Sequence, residues 1–123
     1  MISISREQFE SLVRQALSHL PDDVRNHLDN VDVVVDGSAS TSQLVGTGIA
    51  NEMELLGLYE GIPLTERYGY DLVLPDKITL FQKPIETICQ TQEQITEEIK
   101  ATIVHEIGHH FGIDDDRLHN LGL

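Results

Sequence analysis

Tryptophan is absent from the 123 residues, cysteine occurs once, and eight lysines and arginines stand against 21 aspartates and glutamates. The lone Cys89 excludes an intrachain disulfide, and it excludes a structural zinc site of the cysteine-rich, four-ligand kind. A small buried hydrophobe is the expected role of that thiol. The formal charge of −13 argues against nucleic acid and anionic membrane surfaces, which are bound through basic patches. Acidity of this degree mainly keeps a protein dispersed and names no partner. No apolar run approaches the roughly 20 residues of a membrane span. The opening Met-Ile-Ser-Ile-Ser-Arg-Glu-Gln lacks the apolar core of a secretory signal. The expected protein is cytoplasmic, with no nucleic-acid and no membrane partner.

Residues 1–123 are expected to form one domain, long enough for a single core without staples. Ser5 with Gln8 opens a first helix, along which Phe9, Leu12, Val13, Ala16, Leu17 and Leu20 form a stripe of helical period. Pro21 stops it and opens a short helical turn over Asp22–Leu28. Val31–Asp36 is the clearest strand, β-branched and bounded by polar residues. Gly37–Gly48, rich in Gly, Ser and Thr, reads as a mobile loop. Leu55–Tyr59 reads as a second strand ended by Glu60-Gly61-Ile62-Pro63, which is turn chemistry. Thr65–Tyr70 is ambiguous, and Pro75-Asp76 marks another turn. Ile78–Gln82 reads as a third strand, and the adjoining Lys83-Pro84 assigns it to a sheet edge. The expected class is α+β: a small mixed sheet with an N-terminal helix and a long C-terminal helix.

That last helix carries the chemistry. Ile95, Ile99, Ile103 and Ile107 recur every four residues, with Ala101 and Val104 beside them. Thr91 and Gln94 form a capping box at its start. Residues 105–115 read His-Glu-Ile-Gly-His-His-Phe-Gly-Ile-Asp-Asp, or HExxHxxGxxD. Shuffling this composition produces HExxH in roughly one chain in fifty, and the full pattern in about one in several thousand. Positions four apart share a helix face, so His105 and His109 aim two imidazoles at one divalent metal. Glu106 lies on the flank, placed to act on a water without binding the metal. Gly112 can take the positive φ that ends a helix and turns the chain back. Asp115 then falls where a returning loop delivers a third ligand. Asp114, Asp116 and His119 offer similar chemistry nearby, and spacing favours Asp115. His110 follows His109 by about 100° and faces away from the pair.

Two imidazoles and one carboxylate, with a fourth position left to water, make the open arrangement of a catalytic zinc site. The reaction implied is hydrolysis of a peptide or amide bond by a metal-activated water, with Glu106 as general base and no covalent intermediate. The hard aspartate ligand leaves iron, cobalt or manganese open as well as Zn2+, one ion per chain. An extended peptide would add to a sheet edge above the metal, with Ile78–Gln82 the candidate edge. Tyr68, Tyr70, Arg117 and His119 are candidate donors to the developing oxyanion.

The pattern resembles the zincin metallopeptidases, and within them the minimal zincins of bacteria, or minizincins, that end on HExxHxxGxxD. Residues 55–67 (Leu-Leu-Gly-Leu-Tyr-Glu-Gly-Ile-Pro-Leu-Thr-Glu-Arg) and 74–86 (Leu-Pro-Asp-Lys-Ile-Thr-Leu-Phe-Gln-Lys-Pro-Ile-Glu) are similar to the middle segments of that family. The resemblance covers about the last 70 residues. It implies His105, His109 and Asp115 as metal ligands, Glu106 as catalytic base, and an edge strand running across the cleft beside the metal helix. The larger HExxHxxGxxH peptidases carry a methionine-containing turn after the third ligand. Here Met1 and Met53 both precede the motif, and eight residues follow Asp115. The lower cleft wall is expected to come from a partner or a second copy of the chain. Three functions are carried forward: a zinc peptidase, a non-catalytic or weakly active zincin scaffold that binds protein, and a hydrolase of a non-peptide amide or ester.

Overall fold

The computed structural model describes residues 1–61 and 75–112. Helix α1 (Arg6–Ser18) begins where its sequence says it should. The Ser5 hydroxyl accepts from the Gln8 amide and the Gln8 side chain returns to the Ser5 amide, a complete capping box. Helix α2 (Asp22–Asn26) follows Pro21, and strand β1 (Val31–Asp36) has the bounds its composition predicts. A second capping box, Ser40 with Gln43, starts helix α3 (Thr41–Val45) inside the segment expected to be a loop. The Gly and Ser content suggested mobility, whereas the cap satisfies the first-turn amides of a helix too short to show a period.

Strand β2 is Gly57–Glu60, preceded by a 3-10 turn at Glu52–Glu54. Strand β3 is Asp76–Phe81. Asp76 thus belongs to a strand and not to a turn. Gln82 opens helix α4 (Gln82–Ile88), so Pro84 sits in a first helical turn, where no amide donor is needed. Thr65–Tyr70 lies outside the described residues. Helix α5 (Gln92–Phe111) is the long one. Its cap is half the expected box: Thr91 accepts from the Gln94 amide, but the Gln94 side chain turns to the Gln90 amide instead.

The sheet order is β1-β3-β2, with β1 parallel to β3 and β2 antiparallel to it. This is the mixed sheet of an α+β fold. It also corrects the edge assignment, because β3 is central and β2 borders the long helix α5. Ile78 and Leu80 point into the main core, packed with Phe9, Ile95, Ile99, Ile103 and Ile107 between the sheet and helices α1 and α5. Phe81 faces the other way and joins Leu55 and Ala39 in a smaller core, as the two-residue period of a strand requires. Cys89 is buried, and burial, followed by the negative charge of Glu98, pushes its thiol up from the ordinary range. The small-hydrophobe expectation fits that position.

The N-terminal segment is fastened by one polar cluster. The buried Glu86 carboxylate accepts the Ile4 amide at 2.8 Å, the Glu86 carbonyl accepts the Ile2 amide at 3.1 Å, and Gln82 donates to the Ile4 carbonyl at 3.0 Å. Arg6 closes the cluster, donating to Gln82 and to the Val35 carbonyl at the end of β1. These bonds tie the approach of α1 to α4 and to the sheet. The frame against which α5 packs is therefore held from three sides.

Candidate metal centre

Helix α5 turns its fully buried isoleucines 95, 99, 103 and 107 to the core. A helix anchored on that stripe must present residues about 180° away to solvent. His105 and His109 are accordingly exposed, with ring centroids 6.3 Å apart. Two imidazoles on one tetrahedral metal, at about 2.0–2.1 Å per Zn–N bond, need centroids about 5 Å apart. Exposed side chains cover that difference by small χ rotations. Among the described residues no third ligand joins the pair, and Asp115, the third ligand named from the motif, lies outside them. The donor set that is described fits a divalent metal: two imidazoles on one face, with the Glu106 carboxylate 4.0 Å from His109 Nδ1.

Gly112 ends the helix at φ 70°, ψ 27°, its amide donating to the Gly108 carbonyl. This is the left-handed cap its position in the motif predicts. Asp114, Asp116, Arg117 and His119 follow it outside the described residues, as do Tyr68 and Tyr70. His110 points away from the His105–His109 pair and stacks on the Tyr59 ring at 3.9 Å and 20°.

Glu106 is held by a contact that sequence reasoning missed. Its Oε1 accepts the backbone amide of Tyr59 at 2.8 Å. The Leu56 carbonyl accepts the Phe81 amide at 2.9 Å, so Leu56, and by alternation Leu58 and Glu60, direct their backbone groups at β3. Gly57 and Tyr59 then direct theirs outward, to the sheet edge that borders α5. The general-base candidate is thus bonded to the outward edge of β2 and carries little exposure of its own, 20% of its side chain. No signal in the sequence pairs residues 47 positions apart.

Gly57 permits the close approach of strand and helix. A Cβ there would lie 2.5 Å from Thr102 Cγ2 and 3.0 Å from the Thr79 carbonyl oxygen. A glycine inside a strand pattern is the one signal from which a close approach is readable. Gly57→Ala is expected to destabilise the chain by about 1–3 kcal/mol, the cost of overpacking, less up to about 1 kcal/mol from the restricted unfolded state. Adding Thr102→Ser removes the clashing methyl and should recover part of that loss in urea denaturation. An unchanged midpoint in Gly57→Ala would show that the strand does not sit this close.

Over residues 28–123 the chain matches the profile of a family described as zincin-like metallopeptidase. The chain belongs to that family. No curated protein matches it. The α+β architecture, with a long helix packed under a small mixed sheet, is the zincin-like fold expected from the resemblance. In this zincin-like chain no helix among the described residues is long and apolar enough to cross a membrane.

Proposed function

We propose that this chain is a zinc-dependent peptidase that cuts an extended peptide. The observation that carries the reading is the convergence on one helix of two exposed imidazoles and a carboxylate that is bonded to a sheet edge. His105, His109 and Asp115 would hold the metal. Zinc, when bound, supplies Lewis-acid polarisation of the scissile carbonyl and activation of a water. Glu106 takes the water's proton and passes it to the leaving amine. The outward backbone groups of Gly57 and Tyr59 pair with the peptide main chain, holding the scissile bond over the histidines. A peptide carbonyl that takes the Tyr59 amide also frees the Glu106 oxygen now bonded to it, so substrate pairing prepares the base.

The test is a peptide library incubated with the zinc-loaded chain, the chelated chain, and the chelated chain given zinc again. Cleavage that disappears with chelation and returns with zinc is expected. A zinc-loaded chain that cuts no member overturns the reading in favour of a scaffold that binds without cutting.

A further inference from the structure

A groove of about 390 Å³ opens between the start of β2 and helix α5, lined by Gly57 on the strand side and floored by Ala101 on the helix. His105 and Glu106 stand at one end and Glu98 at the other. Glu98 and His105 are seven positions apart on the helix, about 10 Å or two turns. Ala101 lies between them on the same face, three residues from Glu98 and four from His105. Its single methyl leaves the floor of the groove open. Glu97, next in sequence, takes Lys100 at 3.8 Å. Glu98 is only partly exposed, and no hydrogen bond or ion pair among the described residues engages it.

The direction of a bound peptide follows from how β2 crosses α5. Gly57 approaches Thr102, Tyr59 bonds to Glu106, and Gly61 approaches His110. Strand and helix therefore advance together, two strand residues for each four helical ones. A peptide paired antiparallel to β2, the commoner and more stable ladder, runs the opposite way. Its chain passes from the His110 end, across His105 and Glu106, towards Gly57. The first side chain beyond the cut bond then enters the groove that ends on Glu98.

The geometry points to Glu98 as the specificity-determining residue of this chain, selecting lysine or arginine immediately after the scissile bond. The inference rests on the peptidase reading of the same site. A short apolar side chain covers Ala101 and gains nothing from Glu98. An acidic one meets a carboxylate within a chain already at −13. A long cationic side chain lays its stem over the methyl floor and brings its charge to the far end. A partly exposed pair of this kind supplies up to about fivefold in kcat/KM over leucine.

Cleavage sites of the zinc-loaded chain on a proteome-derived peptide library, read by mass spectrometry, test the proposal. Lysine and arginine are expected directly after the cut. Glu98→Gln should erase the preference and Glu98→Lys should turn it towards aspartate and glutamate, while Glu93→Gln, which removes the same charge outside the groove, leaves it intact. Cutting without a basic preference at that position, or a preference lost equally in Glu93→Gln, overturns the assignment and leaves the peptidase reading standing. Fluorescence anisotropy of Glu106→Gln with matched peptides carrying Lys, Leu or Asp there covers the case of a chain that does not cut. Tighter lysine binding, abolished by Glu98→Gln, upholds the groove even if hydrolysis is absent. Equal binding of all three overturns it.

Discussion

Glu106→Gln is expected to keep its metal and to lose about 10²–10⁴-fold in kcat, the range that a positioned general base contributes. Glutamine preserves the length and shape of the side chain. Its amide oxygen can still accept the Tyr59 amide now bonded to Glu106 Oε1 at 2.8 Å. The strand therefore stays seated on α5, and folding stability should change little. What the amide cannot do is take a proton from water near neutral pH. KM should move less than kcat, because the outward edge of β2 proposed to pair with the peptide is unaltered. Metal content by elemental analysis, thermal denaturation and steady-state kinetics separate these effects. Full kcat in the variant would remove Glu106 from the base role, and loss of metal would make it a ligand instead.

His105→Ala and His109→Ala are each expected to weaken zinc binding by more than the roughly 10–100-fold typical of changes in groups that merely orient ligands. Both rings are exposed, so truncation opens no cavity in the core. Without metal, each variant should match the wild type within about 0.5 kcal/mol. The difference appears on adding zinc. A ligand present at about 100 times its Kd stabilises the native state by about 2.7 kcal/mol. Wild-type chain should gain that increment and the two variants should not. His110→Ala is the control, since that ring stacks on Tyr59 and not beside the pair. It should retain the zinc-induced shift. An undiminished shift and unchanged metal content in His109→Ala would dismantle the centre described above.

Much of the frame was legible because it depends on neighbours in sequence. The isoleucine stripe of α5, the caps at Ser5 and Thr91 and the left-handed Gly112 are all settled within a few residues. Helix α3 was missed although its Ser40–Gln43 box is equally local. Five residues show no period, and the surrounding glycines argued for a loop. Pro84 misled for a related reason: proline beside a strand fits a sheet edge and a first helical turn alike. Only the hydrogen bonding of Gln82–Ile88 separates the two.

On its own, the sequence carried the case for the proposed class of chemistry. Two histidines and a glutamate at helical spacing, on a helix whose opposite face is apolar, point to one metal through the geometry of a single turn. The tertiary structure alone decided which strand borders that helix. β2 and β3 are both short apolar runs, and strand order arises from pairings between residues far apart, such as Leu56 with Phe81 and Val33 with Ile78. From that order follow the Tyr59 amide on Glu106, the need for glycine at position 57, and the groove that leads to Glu98. Local spacing aims the two imidazoles because a helix is rigid over one turn. What stands across from them depends on how the whole chain packs, and no short stretch of it records that.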